Sequence, residues 1–139
     1  MKAFDTDILT EILVGNPAYA ERIANVPVAE QAVPIVAVEE IIRGRLHAIR
    51  QAEAAKSRIT IEQAYCLFEQ TLDDIREMKL LSFTQPAEEL LKEWRKKKIK
   101  GSTHDLRIAA ICVVSPATLV TRNRRDFQNI PSLSVDFWD

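Results

Sequence analysis

The sequence predicts an α/β fold with a parallel sheet covered on both faces. Two patterns carry this expectation: apolar runs of strand length, and between them longer segments whose apolar residues recur with a helical period. The chain has 139 residues, of which 47% are hydrophobic and 28% charged, which suits one globular domain over residues 1–139.

Taken in order, Lys2 to Phe4 is a short first strand ending at Asp5-Thr6-Asp7, and Ile8, Leu9, Ile12 and Leu13 then follow at helical spacing. Gly15-Asn16-Pro17 breaks that helix, and Ala18 to Val26 predicts another. Val33 to Val38 reads as a buried strand with Pro34 near its start. From Val38 the period becomes helical, with Ile41, Ile42, Leu46, Ile49 and Ala52 on one face. Thr60 is placed to cap a long helix striped by Ile61, Ala64, Tyr65, Phe68, Leu72 and Ile75. Leu80 to Phe83 is a short strand, and Pro86 opens a helix with Ala87, Leu90, Leu91 and Trp94 on its apolar face. Thr103 caps a helix running through Val114, apolar nearly all round and therefore buried. Thr118 to Thr121 and Leu133 to Trp138 complete the strands.

Several function classes are excluded by counting. The longest apolar run, Ile108 to Val114, is far short of the ~20 residues of a membrane helix. The N-terminus shows no apolar targeting segment, and two isolated cysteines, Cys66 and Cys112, suit a reducing, cytoplasmic setting. Three glycines, Gly15, Gly44 and Gly101, cannot assemble a dinucleotide fingerprint or a P-loop. Two histidines, His47 and His104, leave little for a His-based zinc site or a Ser-His-Asp hydrolase. Carboxylates remain as the agents of any chemistry. Net charge is −1, but cations cluster at Arg95-Lys96-Lys97-Lys98-Ile99-Lys100 and at Arg122-Asn123-Arg124-Arg125. Those stretches read either as solvated helix ends or as a phosphate-binding patch.

Ligands of a parallel sheet bind beyond the carboxyl ends of its strands. Asp5 and Asp7 follow the first strand, Glu39 and Glu40 the second, Asp105 opens the buried helix, and Asp126 follows the strand ending at Thr121. Each has a structural reading too: Asp5 as a helix cap, Asp105 as a first-turn acid, Asn123 and Asp126 as a capping pair. Their shared edge is the stronger signal. Carboxylates about 5 Å apart repel by ~3 kcal/mol per pair at an effective dielectric of about 20. Four of them would rival a whole domain's stability of about 5–15 kcal/mol. Such a cluster takes up protons or holds a cation, and all-oxygen ligation selects Mg²⁺ or Mn²⁺.

Four segments together resemble the motifs of PIN-domain nucleases, and within them the VapC-type toxins of toxin–antitoxin pairs. They are Phe4-Asp5-Thr6-Asp7-Ile8-Leu9, Glu40-Ile41-Ile42-Arg43-Gly44, Asp105-Leu106-Arg107-Ile108-Ala109-Ala110, and Thr121-Arg122-Asn123-Arg124-Arg125-Asp126-Phe127. Each is short, but all four occur in the expected order and spacing across the chain. The resemblance implies a five-stranded parallel sheet between helices, with Asp5, Glu40, Asp105 and Asp126 converging on a metal site. By the same resemblance Asp5 and Asp105 contact metal most directly, Glu40 and Asp126 complete the site, and Thr6, Thr121 and Asn123 support it. Glu39 rivals Glu40, because the helix wheel turns Glu40 away from the core face.

The function expected is a Mg²⁺- or Mn²⁺-dependent endoribonuclease, the toxin of a pair neutralised by a cognate antitoxin. The resemblance adds 5′-phosphate and 3′-hydroxyl products and a homodimer. Arg95, Lys96, Lys97, Lys98, Lys100, Arg122, Arg124 and Arg125 would steer RNA to the acids, with unpaired loops as targets. His47 is expected exposed, and Trp94 and Trp138 as packing residues; His104, next to Asp105, is a weaker candidate for substrate contact. Two other classes stand beside this one. A PIN-like RNA-binding module without turnover would carry the same fold. A phospho-accepting receiver domain would need an aspartate after the third strand, where Ser82-Phe83-Thr84 stands.

Overall fold

The computed structural model describes residues 1–139. Five short strands, β1 (Lys2–Phe4), β2 (Gln31–Pro34), β3 (Lys79–Leu81), β4 (Thr118–Thr121) and β5 (Val135–Phe137), form one sheet in the order β3-β2-β1-β4-β5. Every pairing is parallel, so all strand carboxyl ends share one edge. The helices between them are α1 (Thr6–Leu13), α2 (Pro17–Ala24), α3 (Ile35–Glu53), α4 (Ile61–Arg76), α5 (Gln85–Lys96), α6 (Thr103–Val114) and the short α7 (Arg124–Phe127).

Alternation along the central strands buries both faces of the sheet. Ala3 of β1 and Leu119 of β4 join the large core with α3, α5 and α6, while Phe4 and Val120 join a smaller cluster with Ile8, Val26 and Trp138. The α6 helix is fully buried from Ile108 to Ile111, as its all-round apolar sequence predicts.

The largest departure from the sequence reading is at the second strand. Residues Val36 to Val38 are buried, but they form the first turn of α3, and the strand lies earlier, at Gln31–Pro34. A short apolar run looks the same in a buried strand and a buried helix start. Pro34 sits at the strand's carboxyl end with φ −65° and ψ 139°, an angle that also serves helix entry. Smaller shifts follow the same logic. The third strand begins at Lys79 and ends at Leu81, and the last is only Val135–Phe137. Thr84 caps α5, which places Pro86 second in the helix, and α2 starts at Pro17. Ser102, not Thr103, caps α6, its hydroxyl accepting from the Asp105 N–H.

Two glycines contrast. Gly101 has φ +155°, and a Cβ there would meet the Leu106 side chain at 3.0 Å, so only glycine lets the chain turn into the Ser102 cap. Gly44 lies inside α3, where a Cβ would meet nothing within 4 Å. A mid-helix glycine costs about 0.5–1 kcal/mol relative to alanine, and packing does not account for this one. The α3–α4 pair is tied by Arg45, whose Nε donates to the buried Thr71 hydroxyl at 2.8 Å.

Candidate metal centre

Four carboxylates reach the carboxyl edge of the sheet by different routes. Asp5 ends β1 and caps α1, accepting from the Thr6 N–H at 2.8 Å. Glu40 lies in the second turn of α3, Asp105 in the first turn of α6, and Asp126 in α7 just past β4. Asp105 is central: its charge acts on Asp5 and Glu40, and Asp126 acts on it.

Asp5 is the buried member, 6% exposed. Its carboxyl is pushed up to about 7, chiefly by burial and then by the charge of Asp7. The Thr121 hydroxyl, donating to Asp5 Oδ2 at 2.7 Å, opposes that rise. Glu40 and Asp105 are also raised, again chiefly by burial. The Thr6 hydroxyl lies near enough to Glu40 to ease its ionisation, but not at hydrogen-bonding geometry. Thr6 Oγ1 and Glu40 Oε1 are both buried and unpaired.

The neighbouring glutamate is engaged elsewhere. Glu39 accepts from Arg43 Nη2 at 2.7 Å and pairs with His104 Nε2 at 3.1 Å, a bridge from α3 to α6 over the exposed rim. Glu40 is therefore the glutamate that faces the acids. Asn123 caps α7 by accepting from the Asp126 N–H at 3.2 Å, and its Nδ2 donates to Asp126 Oδ2 at 2.6 Å. The capping role read for Asp126 is real, and it also fixes that carboxylate at the site.

Asp7 belongs to the same constellation, although the resemblance gives it no part in the metal site. It accepts from the Arg122 N–H at 3.1 Å and stands 3.4 Å from the Thr121 hydroxyl that serves Asp5. The signal was an Asp-x-Asp spacing at a strand end, which reads equally as first-turn charge on a helix.

The basic residues divide into engaged and free. Arg95 donates to Thr103 at 2.7 Å, Lys97 pairs with Glu93 at 3.2 Å, and Arg122 pairs with Glu11 at 3.5 Å and lies over Tyr19. Arg124 pairs with Asp139 and stacks on Phe137. Lys96 is exposed. Lys98, Lys100 and Arg125 line a cleft of about 280 Å³ together with Asp126, so the two basic stretches meet beside an acid of the cluster. His47 is exposed, and Trp94 and Trp138 are buried packing residues.

As placed, no three acidic, histidine or cysteine side chains stand close enough together to hold an ion. The donor set nevertheless fits a hard divalent cation: it is all oxygen, one of its oxygens is buried without a partner, and its most buried carboxyl is strained against ionising. Glu40 and Asp105 are only partly buried, which leaves them the rotamer freedom to close on an ion.

No protein-family model matches the sequence, and no curated protein matches it. Solved structures do. The crystal structure of VapBC2 from Rickettsia felis bound to a DNA fragment from its promoter is similar over 99% of this chain and 98% of that one. The identity is 21% and the TM-score 0.73. The fold is PIN-like. A toxin–antitoxin complex from Klebsiella pneumoniae shares the PIN-like fold over 96% of this chain and 95% of its own, at 20% identity and TM-score 0.72. FitAcB from Neisseria gonorrhoeae does so over 97% and 96%, at 16% identity and TM-score 0.77. The receiver-domain alternative ends here.

Proposed function

We propose that this chain is a divalent-cation-dependent endoribonuclease and the toxin of a toxin–antitoxin pair. The observation that carries the reading is the acid cluster at the sheet edge, with Asp5 buried and its carboxyl pushed up to about 7. A group so disfavoured in its charged form needs a proton or a cation, and such groups gather at working sites. Asp5, Glu40, Asp105 and Asp126 would hold the cation. Bound Mg²⁺ or Mn²⁺ supplies Lewis acidity and lowers the pKa of water for attack on a phosphodiester. The Thr121 hydroxyl holds Asp5, the Asn123 amide holds Asp126, and the Ser102 cap sets Asp105 at the helix start. Lys98, Lys100 and Arg125 bring phosphates to the Asp126 side against the repulsion of the acids.

The antitoxin partner rests on the shared fold with the Klebsiella complex. The exposed Ile61, Tyr65 and Leu72 of α4 give such a partner an apolar face. A homodimer remains part of the proposal.

The test is single-turnover cleavage of an all-RNA strand and of the same strand with one 2′-deoxy residue at the scissile nucleotide. Both should be cut, leaving 5′-phosphate ends, and EDTA or Asp105→Asn should stop the reaction by at least about 100-fold. Loss of cleavage on the single deoxy substitution, or 2′,3′-cyclic phosphate ends, would rule this chemistry out. Cleavage of neither strand, with RNA binding intact, would favour the binding module without turnover.

A further inference from the structure

We infer that the backbone of single-stranded RNA runs along one face of α3, over Arg43, Gly44, His47 and Arg50, leading away from the acid cluster. This rests on the ribonuclease reading above and gives the strand a second binding arm, on the side of the acids opposite Lys98, Lys100 and Arg125. Its two arginines, Arg43 and Arg50, lie outside both basic stretches of the sequence.

A groove of about 490 Å³ is lined by Glu40, Arg43, Gly44, His47 and Arg50 and by no apolar side chain. Spacings of three, four and seven residues put these positions on one helix face. Arg43 is held by Glu39, whereas the exposed His47 and Arg50 side chains have no ion-pair or hydrogen-bond partner within the chain. The unengaged Arg50 guanidinium, with the His47 imidazole between it and Arg43 in a polar groove, suits an anionic ligand. From Arg43 to Arg50 the helix rises about 10 Å.

Gly44 is the second, independent sign. Its Cβ position is open, and no left-handed backbone or close neighbour explains a glycine within α3. Any side chain at this place would stand in the groove. Glu40, with its buried unpaired Oε1, lines the groove's start, while Asp126 lines the other cation-bearing cleft. The acids thus lie between two openings that attract phosphate, and a strand held in both presents an internal bond to them. A second copy of the chain is the poorer occupant, because the centre of a subunit interface is apolar and depleted of charge.

The experiment uses a fluorescently labelled single-stranded RNA of about 12 nucleotides, within the range of sites that track a strand. Anisotropy is read in EDTA at several salt concentrations, alongside melting temperature and gel filtration. Arg50→Gln should weaken binding three- to tenfold and lower the salt slope by about 0.7, the loss of one phosphate contact. Gly44→Gln should weaken binding while the melting temperature holds or rises, since glutamine is the better helix former. Lys79→Gln, an equal charge loss at the amino end of β3, should change neither. If the parent binds and both α3 variants bind like Lys79→Gln, the α3 track is wrong and the ribonuclease reading stands. If Gly44→Gln keeps its RNA affinity but alters the oligomer, the groove is a contact between copies and the track is likewise wrong. A parent that binds no RNA overturns the ribonuclease reading, and the track with it.

Discussion

The two sides of the acid cluster are built differently. On the β1/β4 side, Asp5 accepts from Thr6 and Thr121, Asp7 accepts from the Arg122 backbone, and the Asp126 carboxylate accepts from the Asn123 amide, while its own backbone N–H donates back to Asn123 Oδ1. On the α3/α6 side, Glu40 leaves Oε1 buried and unpaired, and Asp105 has Ser102 beside it. The first side is a frame whose carboxylates are fixed by protein donors before anything binds. The second keeps lone pairs unspent, and unspent buried lone pairs are where a ligand gains most. Fixing one half and leaving the other open limits the reorganisation a bound ion requires.

The comparison breaks most visibly through pH. The Asp5 carboxyl moves from an ordinary 3.8 to about 7 in the folded chain, so the folded state holds its proton more tightly than the unfolded one. Its contribution to stability is therefore fully present below 3.8 and is lost as pH rises through about 7. Without divalent cation, denaturant titrations should show stability falling across that window by on the order of 4 kcal/mol. Asp5→Asn should flatten most of the fall. An unchanged slope in that variant would remove Asp5 from the strained position assigned to it.

Thr121→Val tests the framed side directly. It deletes the O–H that Asp5 Oδ2 accepts and should cost about 1–3 kcal/mol at neutral pH, read from chemical denaturation. Glu40→Gln tests the open side and should leave stability in EDTA within about 1 kcal/mol of the parent, because no partner is lost. It should nonetheless shrink the rise in melting temperature that Mn²⁺ gives the parent, since only binding to the folded state produces that rise. A full Mn²⁺ response in Glu40→Gln would place the ion elsewhere.

The smallest effects separate free from engaged cations. Lys98→Gln or Arg125→Gln should each lower the salt slope of RNA binding by about 0.7. Arg124→Gln, already committed to Asp139 and Phe137, should leave that slope alone. Equal slopes for all three would return the Asp126 cleft to a solvated surface.

Much of this was written in the sequence. Helical period, strand-length apolar runs and cap residues place every helix longer than one turn and four of the five strands, whereas the second strand lies earlier than its apolar run predicts. Asp5, Asp105 and Asp126 are visible as residues following strand ends or opening helices, whereas Glu40, expected just past the second strand, lies in the second turn of α3, beyond the strand's end at Pro34. Local rules failed where two conformations share one pattern: Val36 to Val38 are as apolar in a helix start as in a strand, and Ser102 and Thr103 are both capping residues. Sequence alone also set the chemistry available, by supplying carboxylates in place of histidines, cysteines and glycine-rich loops. Tertiary structure decided which residues are spent on one another. The Glu39–His104 bridge, the sharing of Thr121 between Asp5 and Asp7, and the pairing of Arg124 with Asp139 join residues between 15 and 116 positions apart. Charge and periodicity are properties of a residue and its near neighbours, whereas the partner that satisfies a charge is fixed only when the sheet brings distant strand ends to one edge.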